Sequence, residues 1–191
     1  RDRDKQEILS TVFNGQLPKL NKTEFHVEVE PLGETAAPVI ITQSEYMRRM
    51  KDMASIQPGM SFYGEMPDMF SMVLNSDHKL VKQVLDDAES ACAEKLVPVE
   101  SEIAMLKLRE TELHKAHEGK KDEEIPTTEK DELKDVEQKL TEQKQQKDAI
   151  VNEYAASNKI VHQLIDLALL QNNMLKGEAL NNFVKRSVEL I

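Results

Sequence analysis

Tryptophan is absent from the sequence, and aromatic residues together make up 4% of it. Any core must therefore be built mostly from Leu, Val, Ile and Met. Cysteine occurs once, at Cys92, which excludes an internal disulfide framework and fits a reducing compartment. No run approaches the roughly 18 apolar residues that a membrane-spanning helix needs, and no secretory signal pattern is visible. Neither a membrane nor secretion is expected, and the cytoplasm is the expected location. Bases are also short: 25 Lys and Arg stand against 35 Asp and Glu, a net charge of −10. Phosphate binding needs clustered Lys and Arg, so nucleic acid is not an expected partner. Gly33 and Gly64 are isolated and form no phosphate loop. The chain opens on Arg1 rather than Met and reads as a fragment of something longer.

What is there divides into three regions. Hydrophobic residues at 39% are few for a compact globule, and charged residues at 31% are many. Residues 1–85 read as a mixed α/β unit, with 1–24 open between a linker and the end of a preceding domain. Ile8, Leu9, Val12 and Phe13 recur at helical spacing before Gly15. FHVEVE alternates apolar and polar residues, the period of a half-buried strand. VIIT predicts a second strand after a turn-rich segment, and MFSMVLN a third. Between them, Thr42 and Glu45 have the spacing of a capping box. At 100° per residue Tyr46, Met47, Met50, Met53 and Ala54 then share an arc of about 120°. This helix must end by Pro58-Gly59. Seven of the nine methionines fall between Met47 and Met72.

Residues 86–157 are different in kind. Leu96, Val99, Ile103, Leu106 and Leu113 alternate steps of three and four, with Glu110 as the break. After a polar loop the pattern resumes at Leu133, Val136 and Leu140, then Ile150, Tyr154, Val161 and Leu164, with Gln143, Lys147 and Ser157 as weak positions. Two heptad helices so joined predict an antiparallel hairpin with arms of about 45 Å. Pro98 reads either as a kink or as a helix start. Nineteen acids stand against eleven bases between Asp86 and Asp148. In residues 158–191, two short helices are too apolar for a small sheet domain to cover. A helix apolar on all sides is normally buried, so the expectation is a bundle with a second copy of the chain. The expected fold class is α+β: a small sheet with amphipathic helices, the inserted hairpin, and two C-terminal helices that form a four-helix bundle across a homodimer.

Catalytic chemistry is missing from this reading. His114 and His117 have i,i+3 spacing but no third metal ligand nearby in sequence, and read as surface histidines. Cys92 has no sequence partner and reads as an idle thiol. Asp77-His78 resembles an acid–base pair, but residues that start a helix explain it as well. No enzyme activity, catalytic residue, metal or cofactor is expected in this chain.

Three segments carry a resemblance. LNSDHKLVKQ resembles the strand-to-helix signature of the heat-shock protein 90 chaperones, where L-N-x-x-H precedes an apolar helix. PVIITQSEYMRRMKDM resembles that family's strand and amphipathic helix, and LIDLALLQNNMLKGEALNNFVKRSVELI its pair of dimerising helices. Together they cover roughly 100 residues in the family's order, nearest to the bacterial branch. The resemblance implies a C-terminal dimerisation domain of an ATP-driven chaperone, with ATP and magnesium held by an N-terminal domain absent from this chain. It implies homodimerisation through Leu164, Leu167, Ala168 and Leu180, together with Phe183, Val184, Val188 and Leu190. It also implies contact with unfolded or partly folded client proteins through Tyr46, Met47, Met50 and Met53. Methionine suits that role, since an unbranched, polarizable side chain repacks against many surfaces. The bland alternative is that these methionines fill an ordinary core.

Two features depart from the family. The hairpin has no counterpart in the bacterial pattern, and it reads as a passive spacer or as a docking arm for a partner. The ending VKRSVELI lacks the acidic tail that recruits repeat-containing co-chaperones, so these are not expected partners. The competing reading of the whole chain is a structural or adaptor protein whose hairpin binds the partner.

Overall fold

Period-two patterning leads to strands where it occurs. The structure, a computed structural model describing residues 2–191, has β1 at Thr23–Glu30, β2 at Val39–Gln43 and β3 at Asp68–Asn75. β3 is the central strand, parallel to β1 and antiparallel to β2. Met72 pairs with Val27 on one side and Ile41 on the other, and is fully buried. Phe25 and Phe70, also in register, bring their rings to 5.9 Å. Among the described residues seven α-helices accompany this small mixed sheet, the expected α+β class. α1 (Asp2–Asn14) stops before Gly15 and packs Leu9, Val12 and Phe13 against the sheet.

The chain folds as two compact units. One comprises the residues up to Ala88 together with Tyr154–Ile191; the other is Glu89–Glu153. In the first unit, α2 (Glu45–Ala54) and α3 (Ser61–Glu65) lie between β2 and β3 in sequence. Thr42 does not cap α2: it belongs to β2, opposite Ser71, and Ser44 takes the N-cap position without a side-chain hydrogen bond. Strand pairing claims Thr42 before the helix can. α6 (Lys159–Gln171) begins at Asn158, whose side-chain oxygen accepts from the amides of Ile160 and Val161 at 2.9 and 3.1 Å. Such a cap is worth about 1 kcal/mol. α6 buries Val161, Leu164, Ile165, Ala168 and Leu169 in the unit's own core and packs on β2. α7 (Glu178–Leu190) buries no residue.

Asn75 is the polar centre of this unit. It is fully buried at the end of β3, and its amide stitches the turn-rich segment before β2 to the sheet. Its oxygen accepts from the backbone amides of Leu32 and Asp77 at 3.0 and 3.1 Å; its nitrogen donates to the carbonyls of Gly33 and Ala37 at 2.8 and 3.3 Å. Gly33 holds φ +95°, a conformation that favours glycine, and its amide donates to Asp77 at 2.9 Å. His78 accepts from the Leu80 amide at 3.1 Å, at the start of α4 (Lys79–His117). The L-N-x-x-H segment is thus a backbone clamp, and Asp77 and His78 are spent on it.

The second unit is an antiparallel hairpin made by α4 and α5 (Thr127–Ala156). Val99, Ile103, Leu106 and Leu113 pack with Val136 and Leu140, flanked by Leu133 and Ile150. Pro98 neither starts nor ends α4 but lies inside the 39-residue helix, where it forgoes one backbone hydrogen bond. The turn follows His117, where Gly119 takes φ +74°. Charged pairs line both edges. Arg109 grips Glu132 with two hydrogen bonds of 2.6 and 2.9 Å, which hold that carboxyl below its ordinary range. His117 meets Glu129 at 2.9 Å, and Lys147 meets Glu100 at 3.6 Å. The Arg109–Glu132 pair is open to solvent, whereas the His117 and Lys147 side chains are largely covered.

Two outcomes follow for stability. Asn75→Ala leaves buried backbone groups unpaired and is expected to cost about 2–4 kcal/mol, read as a lower urea midpoint; an unchanged midpoint would show that the turn holds without its clamp. Glu110→Leu restores the apolar seam and is expected to raise the hairpin's thermal midpoint, by about 1 kcal/mol of burial.

Candidate functional site

The sheet core is complete without α2, and this is what leaves the methionine helix at the surface. α2 has no buried residue. Tyr46 is 68% exposed, Met53 is exposed, and Met47, Met50 and Ala54 are half-buried. Lys51 ties the helix to Asp68 at the start of β3 with a 2.6 Å bond, and Arg49 pairs with Glu45 at 2.7 Å. The apolar side therefore has a tethered base and a free edge. Further apolar residues are exposed in the segment that follows α2. Ile56 is 79% exposed, and Phe62 is exposed beside Tyr63, the two rings 4.0 Å apart. Neither Ile56 nor Phe62 stands in a periodic pattern, so no sequence signal marked them. Met69 is also exposed, whereas Met60 and Met66 are half-buried and Met72 is core.

α7 forms a second exposed apolar face, and its cause is the way it is fastened to α6. Gln163 of α6 donates to the Phe183 carbonyl at 3.2 Å and to the Ser187 hydroxyl, and accepts from Arg186 at 3.0 Å. Arg186 also pairs with Asp166, whose carboxyl is pushed up by burial against the opposing pull of the guanidinium. Lys159 and Glu189 close the end of the pair at 2.8 Å. A polar seam thus occupies the side of α7 turned to α6. Val184, Val188 and Leu190 remain exposed, Val188 by 70%, with Leu167 and Leu170 exposed on α6. Leu180 and Phe183 are half-buried. Leu164 and Ala168, expected on a dimer face, are instead buried inside the unit. Their 3.6-residue spacing puts them with Val161 and Ile165, on the side of α6 that covers the sheet.

The chemical candidates resolve differently. His114 and His117 do not converge: His117 is taken by Glu129, while His114 lies near Glu110 and Glu137, their ligand atoms within 4.8 Å of one another. His114 and Glu137 are exposed and stand 3.9 Å apart, the spacing of a surface ion pair. Cys92 is buried, and burial pushes its thiol up, which disfavours the reactive thiolate. A groove of about 470 Å³ lies between α1, β1 and the start of α4, with Leu9, Val29, Val81 and Leu85 below a rim of Lys5, Lys82, Asp2 and Asp86. Ser76 also lines it. No helix among the described residues is long and apolar enough to cross a membrane.

Comparison with known proteins agrees with the family resemblance. The chaperone protein htpG of Bacteroides fragilis strain 638R is 64% identical over 190 residues, which cover 100% of this chain and 28% of that protein. HtpG of Bacteroides thetaiotaomicron is 61% identical over 188 residues, 98% of this chain and 28% of that protein. HtpG of Porphyromonas gingivalis strain ATCC 33277 is 44% identical over 189 residues. These alignments run through the hairpin as well as the three resembling segments, so the hairpin is shared with these relatives. No protein-family model matches the chain, and no solved structure matches it. Along its whole length the chain is similar to a segment of HtpG chaperone proteins, at 61–64% identity to the two Bacteroides relatives, and it spans only about 28% of their length.

Proposed function

We propose that this chain is the C-terminal homodimerisation and client-contact segment of an ATP-dependent chaperone of the cytoplasm. In this reading it holds no nucleotide site, and ATP and magnesium belong to an N-terminal domain of the longer protein. The observation that carries the reading is α7. This helix spends its polar side on α6 and buries none of its own residues, while Val184, Val188 and Leu190 stay exposed. A second copy offering the same face would cover both, an arrangement natural to a two-fold dimer. α6 and α7 of two copies would then make the four-helix bundle. Leu167, Leu170, Leu180 and Phe183 would join the interface, whereas Leu164 and Ala168 would support it from beneath.

Client contact is supported by the second apolar face. Tyr46, Met53, Ile56 and Phe62 offer flexible and aromatic side chains that the protomer does not cover. An adaptable surface of this chemistry suits apolar segments of unrelated sequence. Exposed patches rimmed by charge are characteristic of protein contact sites.

The dimer is tested by sedimentation equilibrium. The chain is expected to be a dimer, and Val184→Ser with Val188→Ser is expected to weaken it about a hundred-fold, equivalent to about 3 kcal/mol. A monomeric parent chain would refute the dimer, and an unaffected dimer would move the interface elsewhere. For client contact, Met53→Ser with Phe62→Ser is expected to weaken binding of a carboxymethylated, permanently unfolded protein several-fold at unchanged circular dichroism. Equal binding would remove this patch from the client site.

A further inference from the structure

Across the hairpin, acids are met by bases: Arg109 by Glu132, Lys147 by Glu100 and Lys130 by Asp122. One place departs from this. Where the apolar seam breaks, between Leu106 and Leu113, two carboxylates and an imidazole come together. Glu110 and His114 stand four residues apart on α4, one above the other on the same face. Glu137 of α5 approaches both. The ligand atoms of the three all lie within 4.8 Å of one another, with His114 Nε2 3.9 Å from Glu137 Oε1. Among the described residues no Lys or Arg pairs with Glu110 or Glu137. Along the sequence His114 has no third ligand nearby; the antiparallel hairpin supplies it from the other arm.

The position of Glu110 is costly by itself. It lies a heptad beyond Ile103 and is half-buried, so its carboxylate stands where an apolar residue would continue the core. Glu137 adds a second negative charge at short range, and like charges so close repel. A divalent cation would relieve both conditions, neutralising the two carboxylates and joining α4 to α5 across the missing layer. The donor set selects among cations. Magnesium and calcium take oxygen ligands, whereas one imidazole nitrogen with carboxylate oxygens suits zinc. Tetrahedral zinc, with bonds of about 2.0–2.1 Å, holds its donors about 3.4 Å apart. His114 and Glu137 are exposed and free to draw in to that spacing. Ligands at i and i+4 of one helix are an established way to present two donors to zinc. Water would complete the tetrahedron.

We propose that Glu110, His114 and Glu137 form a zinc site that clips the two arms of the hairpin together where its apolar seam is broken. The site lies wholly on the hairpin and stands whether or not dimerisation and client contact hold. It makes the firmness of the arm depend on metal, because a cation held only by the folded hairpin stabilises that fold by mass action.

The test titrates zinc chloride into the whole chelator-stripped chain by isothermal calorimetry, with magnesium present in about a hundred-fold excess. One zinc per chain is expected to bind. His114→Ala and Glu137→Gln are each expected to weaken it at least about ten-fold, the scale reached by losing even an indirect contact to a metal. His117→Asn is expected to leave binding unchanged, since His117 is already engaged by Glu129. His114 and Glu137 are exposed, so their variants are expected to keep the circular dichroism of the parent. Zinc is also expected to raise the thermal midpoint of the parent, and not that of Glu110→Leu. The proposal is overturned if no zinc binds against magnesium, or if the His114 and Glu137 variants bind as tightly as the parent, which would leave an adventitious ion only. An unchanged midpoint in zinc would refute the clip. A zinc-dependent change in sedimentation would overturn it too, by assigning the metal to a site between copies.

Discussion

The polar seam between α6 and α7 sets the terms for the C-terminal region. Helices of a small domain ordinarily turn their apolar sides inward, yet here Gln163, Asp166, Arg186 and Ser187 occupy the contact between the two. One side of α6 is already committed to the sheet, through Val161, Ile165 and Leu169. Its other side must therefore serve both α7 and the surface. The hydrogen-bonded network holds α7 in place at part-buried positions, where charged hydrogen bonds are stronger than in open water. The consequence is a rigidly presented apolar strip with no partner inside the protomer. Presentation on a fixed helix lowers the ordering cost of any association made there.

The methionine helix shows the opposite design. It is fastened by charged contacts, notably Lys51 to Asp68, and shows its apolar side to solvent. Met47 and Met50 are half-covered while Tyr46, Met53, Ile56 and Phe62 stand clear. A side chain with three rotatable bonds loses little by being exposed and can repack on contact. The two faces thus differ physically: β-branched valines on α7 favour one defined packing, and methionines on α2 favour many. That difference fits one constant partner and several changing ones.

The hairpin adds a third condition. Its core is a single apolar seam broken at Glu110, flanked by ion pairs that include Arg109–Glu132 and Lys147–Glu100. Such an arm gains from further apolar contact along its length.

Much of the architecture was legible in the sequence because it rests on periodicity. The alternation in FHVEVE, the apolar steps from Val99 to Leu113 and the helical spacing around Phe13 each correspond to an element of the structure. The concentration of methionine on one arc of α2 was equally readable. What escaped was whatever depends on which side of an element another element claims. Thr42 looked like a cap until β3 claimed it as a strand residue. Asn75 carried no sign that it would hold the segment 32–37, since its partners are backbone groups brought near by the fold. Leu164 and Val188 are both apolar and helical, yet one lies in the core and the other in solvent. The sequence by itself determined element types, the heptad arm and the absence of a disulfide framework, because these follow from local spacing and composition. Only tertiary structure decided which apolar faces remain open, because burial is a property of pairs of surfaces.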